Sequence, residues 1–164
     1  MSSIINSTGG THLEIGDGER LLSDPYFPKA EDIDYAQLSV LRKYWDFVVG
    51  YQRVLGPNAV WKDINVQVEK DVMTIARQNG KYTAINFINC LEGADWFKKI
   101  DVPDALKDIS IKINYAKKIK RVLFASPDNE SMDLKPVDYS IENGRVKLNL
   151  ASLHYWSMIV IEEE

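Results

Sequence analysis

The sequence predicts a mostly β fold, an antiparallel β-sandwich preceded by a short strand and one long amphipathic helix. Three observations carry this. Beyond about residue 64, some seven short apolar or alternating segments follow one another with turn residues between them. Two of those turns are the pairs Asn79-Gly80 and Asn143-Gly144, which tolerate positive φ and so suit hairpin tips. Ahead of the strands lies a single stretch with apolar residues at helical spacing.

Taken in order, Ile4 and Ile5 open a short apolar patch. After Gly9-Gly10, the segment Thr11-His12-Leu13-Glu14-Ile15 alternates, with Leu13 and Ile15 on one face and His12 and Glu14 on the other. Gly16-Asp17-Gly18 breaks it, and residues 19–33, with Asp24-Pro25 and Phe27-Pro28, predict a loop. Leu38, Leu41, Trp45, Val48 and Leu55 then recur at helical spacing, widened by Tyr44 and Val49. Asp34 suits the N-cap with Gln37 completing a capping-box-like pair, Gly56 suits a left-handed C-terminal position, and Pro57 ends the helix. The strands are expected over residues 71–78, 81–90, 109–115, 122–125, 137–141, 146–150 and 154–161. The break near residues 56–63 divides the chain into 1–56 and 64–164.

Composition excludes several function classes. A chain of 164 residues cannot hold a complete barrel enzyme of about 250 residues. The formal net charge of −4 and the lack of a long Lys/Arg run argue against a nucleic-acid partner. Lys117, Lys118, Lys120 and Arg121 form the most basic cluster, read as a solvated strand edge or turn. Cys90 is the single cysteine, so no internal disulfide or cysteine zinc site is expected; in an apolar run it reads as a buried, inert thiol. His12 and His154 lack neighbours at ligand spacing, and Gly9-Gly10 and Gly16-Asp17-Gly18 lack phosphate-loop spacing; no metal and no cofactor are expected. The first ten residues have neither a basic n-region nor an apolar h-region, and no stretch approaches transmembrane length. No export signal and no membrane partner are therefore expected, and the compartment stays open.

Several ordered, aromatic-rich pieces resemble a known family. Thr11-His12-Leu13-Glu14-Ile15-Gly16, Tyr26-Phe27-Pro28 and the run from Tyr44 to Leu55 are similar to the end of the catalytic barrel in dextranases. The same family includes the glucanotransferases that form cyclic isomaltooligosaccharides. Ile85-Asn86-Phe87-Ile88-Asn89, Trp96, Ser126-Pro127-Asp128 and the run from Leu153 to Ile159 resemble its C-terminal sandwich. The resemblance implies a last strand–helix unit of a (β/α)8 barrel up to about residue 56. It implies a Greek-key sandwich from about residue 64. It also implies α-1,6-glucan chemistry by an Asp nucleophile and a Glu acid/base, both on barrel strands earlier than any present here. No catalytic residue is transferred.

Retaining glycosidases need two carboxyl groups roughly 5 Å apart, one of them kept protonated. Glu14 and Asp17, at the mouth of a strand, are the candidates placed where a full barrel binds sugar, with His12 beside them; a solvent-exposed polar edge is the plainer reading. Among sandwich aromatics, Trp61, Trp96, Tyr155 and Trp156 are candidate sugar platforms. Trp156 shares a face with Met158 and Val160 and reads as core. Trp96, after Gly93-Ala94-Asp95, is the best candidate for exposure. The expected function is a C-terminal portion of a dextranase-like enzyme, non-catalytic by itself, with a structural or weak glucan-binding role toward α-glucan or isomaltooligosaccharide. The alternative is a self-associating or partner-binding module. In that case the helix stripe and the short strand before it form a homodimer, and a monomer in light scattering at high concentration would count against it.

Overall fold

A computed structural model describes residues 2–11, 20–22, 30–32, 35–68, 72–90 and 104–164. Its helices are α1 (Ser2–Ser7), α2 (Tyr35–Gly50) and α3 (Gln52–Leu55). The strands are β1 (Arg20–Leu22), β2 (Ala30–Asp32), β3 (Val60–Trp61), β4 (Val66–Val68), β5 (Val72–Asn79) and β6 (Tyr82–Asn89). They continue as β7 (Leu106–Asn114), β8 (Ile119–Ala125), β9 (Lys135–Pro136), β10 (Tyr139–Glu142), β11 (Arg145–Leu153) and β12 (Trp156–Glu163). The mostly β, antiparallel expectation is borne out.

Two sheets make the sandwich, one ordered β3-β5-β6-β12-β8-β9 and the other β10-β11-β7-β4. The chain passes between them repeatedly, so neither sheet can be completed from one continuous segment. Both Asn-Gly pairs turn hairpins, β5–β6 at Gly80 (φ 58°) and β10–β11 at Asn143 and Gly144 (φ 51° and 74°). The four-stranded sheet alternates: Ile109, Ile111, Ile113, Val146, Leu148 and Leu150 point inward and meet Ile85, Phe87, Ile159 and Ile161 of the larger sheet.

The central strands β6 and β12 do not alternate, being buried on both faces along nearly their whole length. Their second face receives the helices. Ala84, Ile88, Trp156, Met158 and Val160 pack against Tyr44, Phe47, Val54 and Leu55. The result is three layers: helices, a six-stranded sheet and a four-stranded sheet. α2 finds its partner inside the chain, chiefly through Tyr44 and Phe47 rather than through the expected stripe. Leu38, Leu41, Trp45 and Val48 are only half-buried, and α2 leaves Tyr35, Val40 and Val49 exposed.

Other expectations are corrected. The helix is divided at Tyr51 (φ −108°, ψ 21°), although Tyr51 N–H still donates to Phe47 O at 3.0 Å. Gly56 is extended (φ −77°, ψ −178°) rather than left-handed, and what excludes a side chain there is space: a Cβ would lie 2.4 Å from Gln52 O. Within the expected loop 19–33, β1 and β2 pair antiparallel, closed by Arg20 Nε donating to Asp32 Oδ1 at 3.1 Å. Residues 2–7 form a short helix whose buried side is polar, with Ser3, Asn6 and Ser7 inside. The strand expected from 154 begins at Trp156, because β11 runs on to Leu153 and His154-Tyr155 make the turn. Of the strand expected over 11–15, only Thr11 is described; Asp34 and the side chain of Gln37 also lie outside the described residues. Among the described residues no helix is long and apolar enough to cross a membrane.

Candidate functional site

Three of the sequence-predicted site residues, His12, Glu14 and Asp17, fall in 12–19, and Trp96 falls in 91–103; all four lie outside the described residues. The chemistry available on the described part comes from its enclosed carboxylates and its aromatics.

Glu162, near the end of β12, is only 2% exposed at its side chain and accepts from Lys81 Nζ at 2.5 Å, Arg121 Nε at 2.5 Å and Lys120 Nζ at 3.3 Å. The hydrogen bonds from Lys81 and Arg121 hold its carboxyl at about 2. Burial alone would raise its neighbour Glu163, but hydrogen bonds from Lys117 (2.8 Å) and Tyr115 (2.8 Å) outweigh it and keep that carboxyl low as well. The basic cluster read as a solvated edge is therefore largely engaged with these two carboxylates. A general acid needs the opposite shift. These are fixed anions.

The sign of the Glu162 shift sets a pH dependence. A carboxyl lowered by folding contributes stability above its ordinary value near 4.5 and loses it as pH falls toward about 2. Urea midpoints at pH 5, 3.5 and 2.5 should fall more steeply for the parent than for Glu162→Gln. Parallel pH profiles would show that the cluster is not linked to folding.

Asp128 joins the layers at one end of the sandwich. It follows β8 in the turn Ser126-Pro127-Asp128, where Ser126 Oγ donates to Trp156 O at 2.6 Å. Its Oδ1 accepts from Tyr44 Oη of α2 at 2.8 Å, and its Oδ2 accepts from the N–H groups of Tyr155 (2.8 Å) and Trp156 (2.7 Å). Burial first, and Asp128 second, push the Tyr44 hydroxyl far above the ordinary phenol value. A carboxylate accepting three donors anchors α2 and the start of β12 to the end of β8.

The aromatics divide by exposure. Trp156 is fully buried, with Nε1 donating to Asn86 Oδ1 at 2.9 Å, which fits its core reading. Tyr155 is half-buried and stacked on His154 with ring centroids 4.0 Å apart. Trp61 is 64% exposed. It lies in the edge strand β3 opposite Arg77, and the sequence, which offers it as one of four candidate platforms, does not show its exposure.

Arg77 fixes that edge. It is 4% exposed, and its guanidinium donates to Leu55 O, Ala59 O and, at 3.0 Å, Gly56 O. These carbonyls close the last helical turn and lead into β3, so one buried cation caps α3 and pins the approach to Trp61. Gly9 (φ 86°) lies against the guanidinium, where a Cβ would be 2.2 Å from Nη1. α1, which Gly9 follows, packs against α2 and β6. Cys90 is half-buried rather than enclosed, and burial pushes its thiol up, away from the reactive thiolate.

Comparison with known proteins gives a consistent result. The family model described as glycosyl hydrolase family 66 matches residues 1–160. Two cycloisomaltooligosaccharide glucanotransferases of Niallia circulans are 20% and 22% identical to this chain, each alignment covering 98% of it and 19% of the relative. The chain thus spans about a fifth of the length of the curated relatives it matches. The structure of a cycloisomaltooligosaccharide glucanotransferase from Paenibacillus sp., in complex with cycloisomaltoheptaose, superposes with a TM-score of 0.85 at 22% identity, covering 97% of this chain and 26% of that one. That likeness establishes a shared fold.

Proposed function

Because the chain belongs to glycosyl hydrolase family 66, we propose that it is the C-terminal part of a dextranase-like, α-1,6-glucan-active enzyme, with a sandwich that supports the barrel and contacts glucan weakly. In this reading residues 1–56 are the last strand–helix unit of the barrel and 64–164 the sandwich. These residues by themselves do not catalyse. Support for the non-catalytic part comes from the enclosed carboxylates among the described residues, which are held low or tied to three donors where glycosidic chemistry needs a protonated acid.

The observation that carries the glucan contact is Trp61. An indole ring 64% exposed on a strand edge offers a flat apolar face, and pyranose rings present a matching C–H face. Arg77 holds the backbone beneath it, so little ordering is needed on binding. A single platform of this kind gives a dissociation constant on the order of 1 mM.

Tryptophan fluorescence titrated with isomaltooligosaccharides should show a saturable change at millimolar sugar that Trp61→Ala abolishes without lowering the melting temperature. The same protein should release no reducing sugar from dextran. A titration unchanged in Trp61→Ala removes the platform, and dextran cleavage by this chain overturns the non-catalytic reading. A homodimer through the N-terminal strand and helix has a narrower basis, since Tyr44 and Phe47 already face the sheet and Tyr35, Val40 and Val49 remain.

A further inference from the structure

The outer face of the four-stranded sheet carries a feature that glucan contact at Trp61 does not use. Along β7 and β11 the inward positions are aliphatic and the outward ones polar, so Lys112, Arg145 and Lys147 share the outer face. Register places Lys112 directly opposite Lys147, and Arg145 two residues before it. Like charges directly opposite on neighbouring strands repel, their Cβ atoms being about 5 Å apart. Glu142 could relieve this only once. It is the register partner of Arg145, yet it pairs with Lys147 instead. Among the described residues neither Lys112 nor Arg145 has an ionic partner.

These four side chains and Asn143 line a cleft of about 340 Å³ beside the β10–β11 turn. Three cations against one carboxylate make it locally positive on a chain whose formal net charge is −4. Nonspecific attraction of anions to the whole molecule is therefore disfavoured, and any attraction is local. We propose that this cleft binds a tetrahedral oxyanion of the phosphate or sulfate class. Lys112 and Arg145 would be its principal donors, and the anion would neutralise the Lys112–Lys147 repulsion. The anion is either free or an ester group carried on a polymer.

Backbone amide shifts in 15N-labelled full chain provide the test. Sodium phosphate, dextran sulfate and neutral dextran are titrated separately, with sodium chloride at matched ionic strength as control. Saturable shifts at residues 110–114 and 142–148 are expected with phosphate or with dextran sulfate, with affinity about tenfold weaker in Lys112→Ala and in Arg145→Gln. Saturation by phosphate assigns a free anion; saturation by dextran sulfate alone assigns an ester on a polymer. Both substitutions are on the surface, so unchanged spectra elsewhere confirm that each variant is folded. The proposal is overturned if chloride or neutral dextran produces the same shifts, if neither anion saturates, or if both variants bind as the parent does.

Discussion

Trp156→Ala is expected to lower the unfolding free energy by about 4 kcal/mol, the largest effect of any single substitution in the helix–sheet layer. The indole is fully buried between Phe47 (ring centroids 4.9 Å) and Tyr44 (5.7 Å), and its N–H satisfies Asn86 Oδ1. Truncation removes the buried ring, leaves a cavity against rigid strands that cannot collapse, and strips Asn86 of one partner. Trp156→Phe separates the contributions, retaining most of the packing and losing the N–H; it should cost about half as much. Urea denaturation followed by circular dichroism gives both values. A loss for Trp156→Ala within about 1 kcal/mol of the parent would mean that helices and sheet do not unfold as one unit.

The second large effect falls on Asp128. Asp128→Ala leaves Tyr44 Oη and the N–H groups of Tyr155 and Trp156 without their acceptor, at a cost of about 2–3 kcal/mol. The carboxylate is half-buried, so water replaces part of what is lost, which keeps the figure below that for Trp156. Tyr44→Phe removes one of the three donors and should cost about 1 kcal/mol. In a double-mutant cycle the two changes should be clearly non-additive. Additive losses in thermal melts would show that the Tyr44–Asp128 bond does not couple α2 to the start of β12.

What the sequence discloses about this fold is what local chemistry controls. Asn79-Gly80 and Asn143-Gly144 place two hairpins, because positive φ is a property of the turn residues themselves. The alternation from Ile109 to Asn114 is legible because only one face of β7 is buried. Strands β6 and β12 read as apolar runs without revealing that helices cover the second face. The separation of Tyr44 from Asp128, or of Leu55 from Arg77, is too long for any local pattern to show. The polar helix α1 and the three-residue strands β1 and β2 carry no periodic signal strong enough to see.

The candidate site divides in the same way. Trp156 is identifiable as core from Met158 and Val160 at alternate positions, but nothing in the letters distinguishes an exposed Trp61 from a packed one. Arg77 and Asp128, which hold the site's frame, bond mostly to backbone groups, and backbone acceptors and donors have no signature in sequence. Of the expected sugar contacts, His12, Glu14, Asp17 and Trp96 lie outside the described residues.

The position of β12 bears on how the protein is made. It is synthesised after every other strand described, yet it sits between β6 and β8. Until it leaves the ribosome, β3-β5-β6 and β8-β9 are two separate half-sheets, each with an open inner edge. The edges of β6 and β8 stay unpaired until that keystone arrives, which leaves the nascent polypeptide open to wrong strand pairing in the meantime.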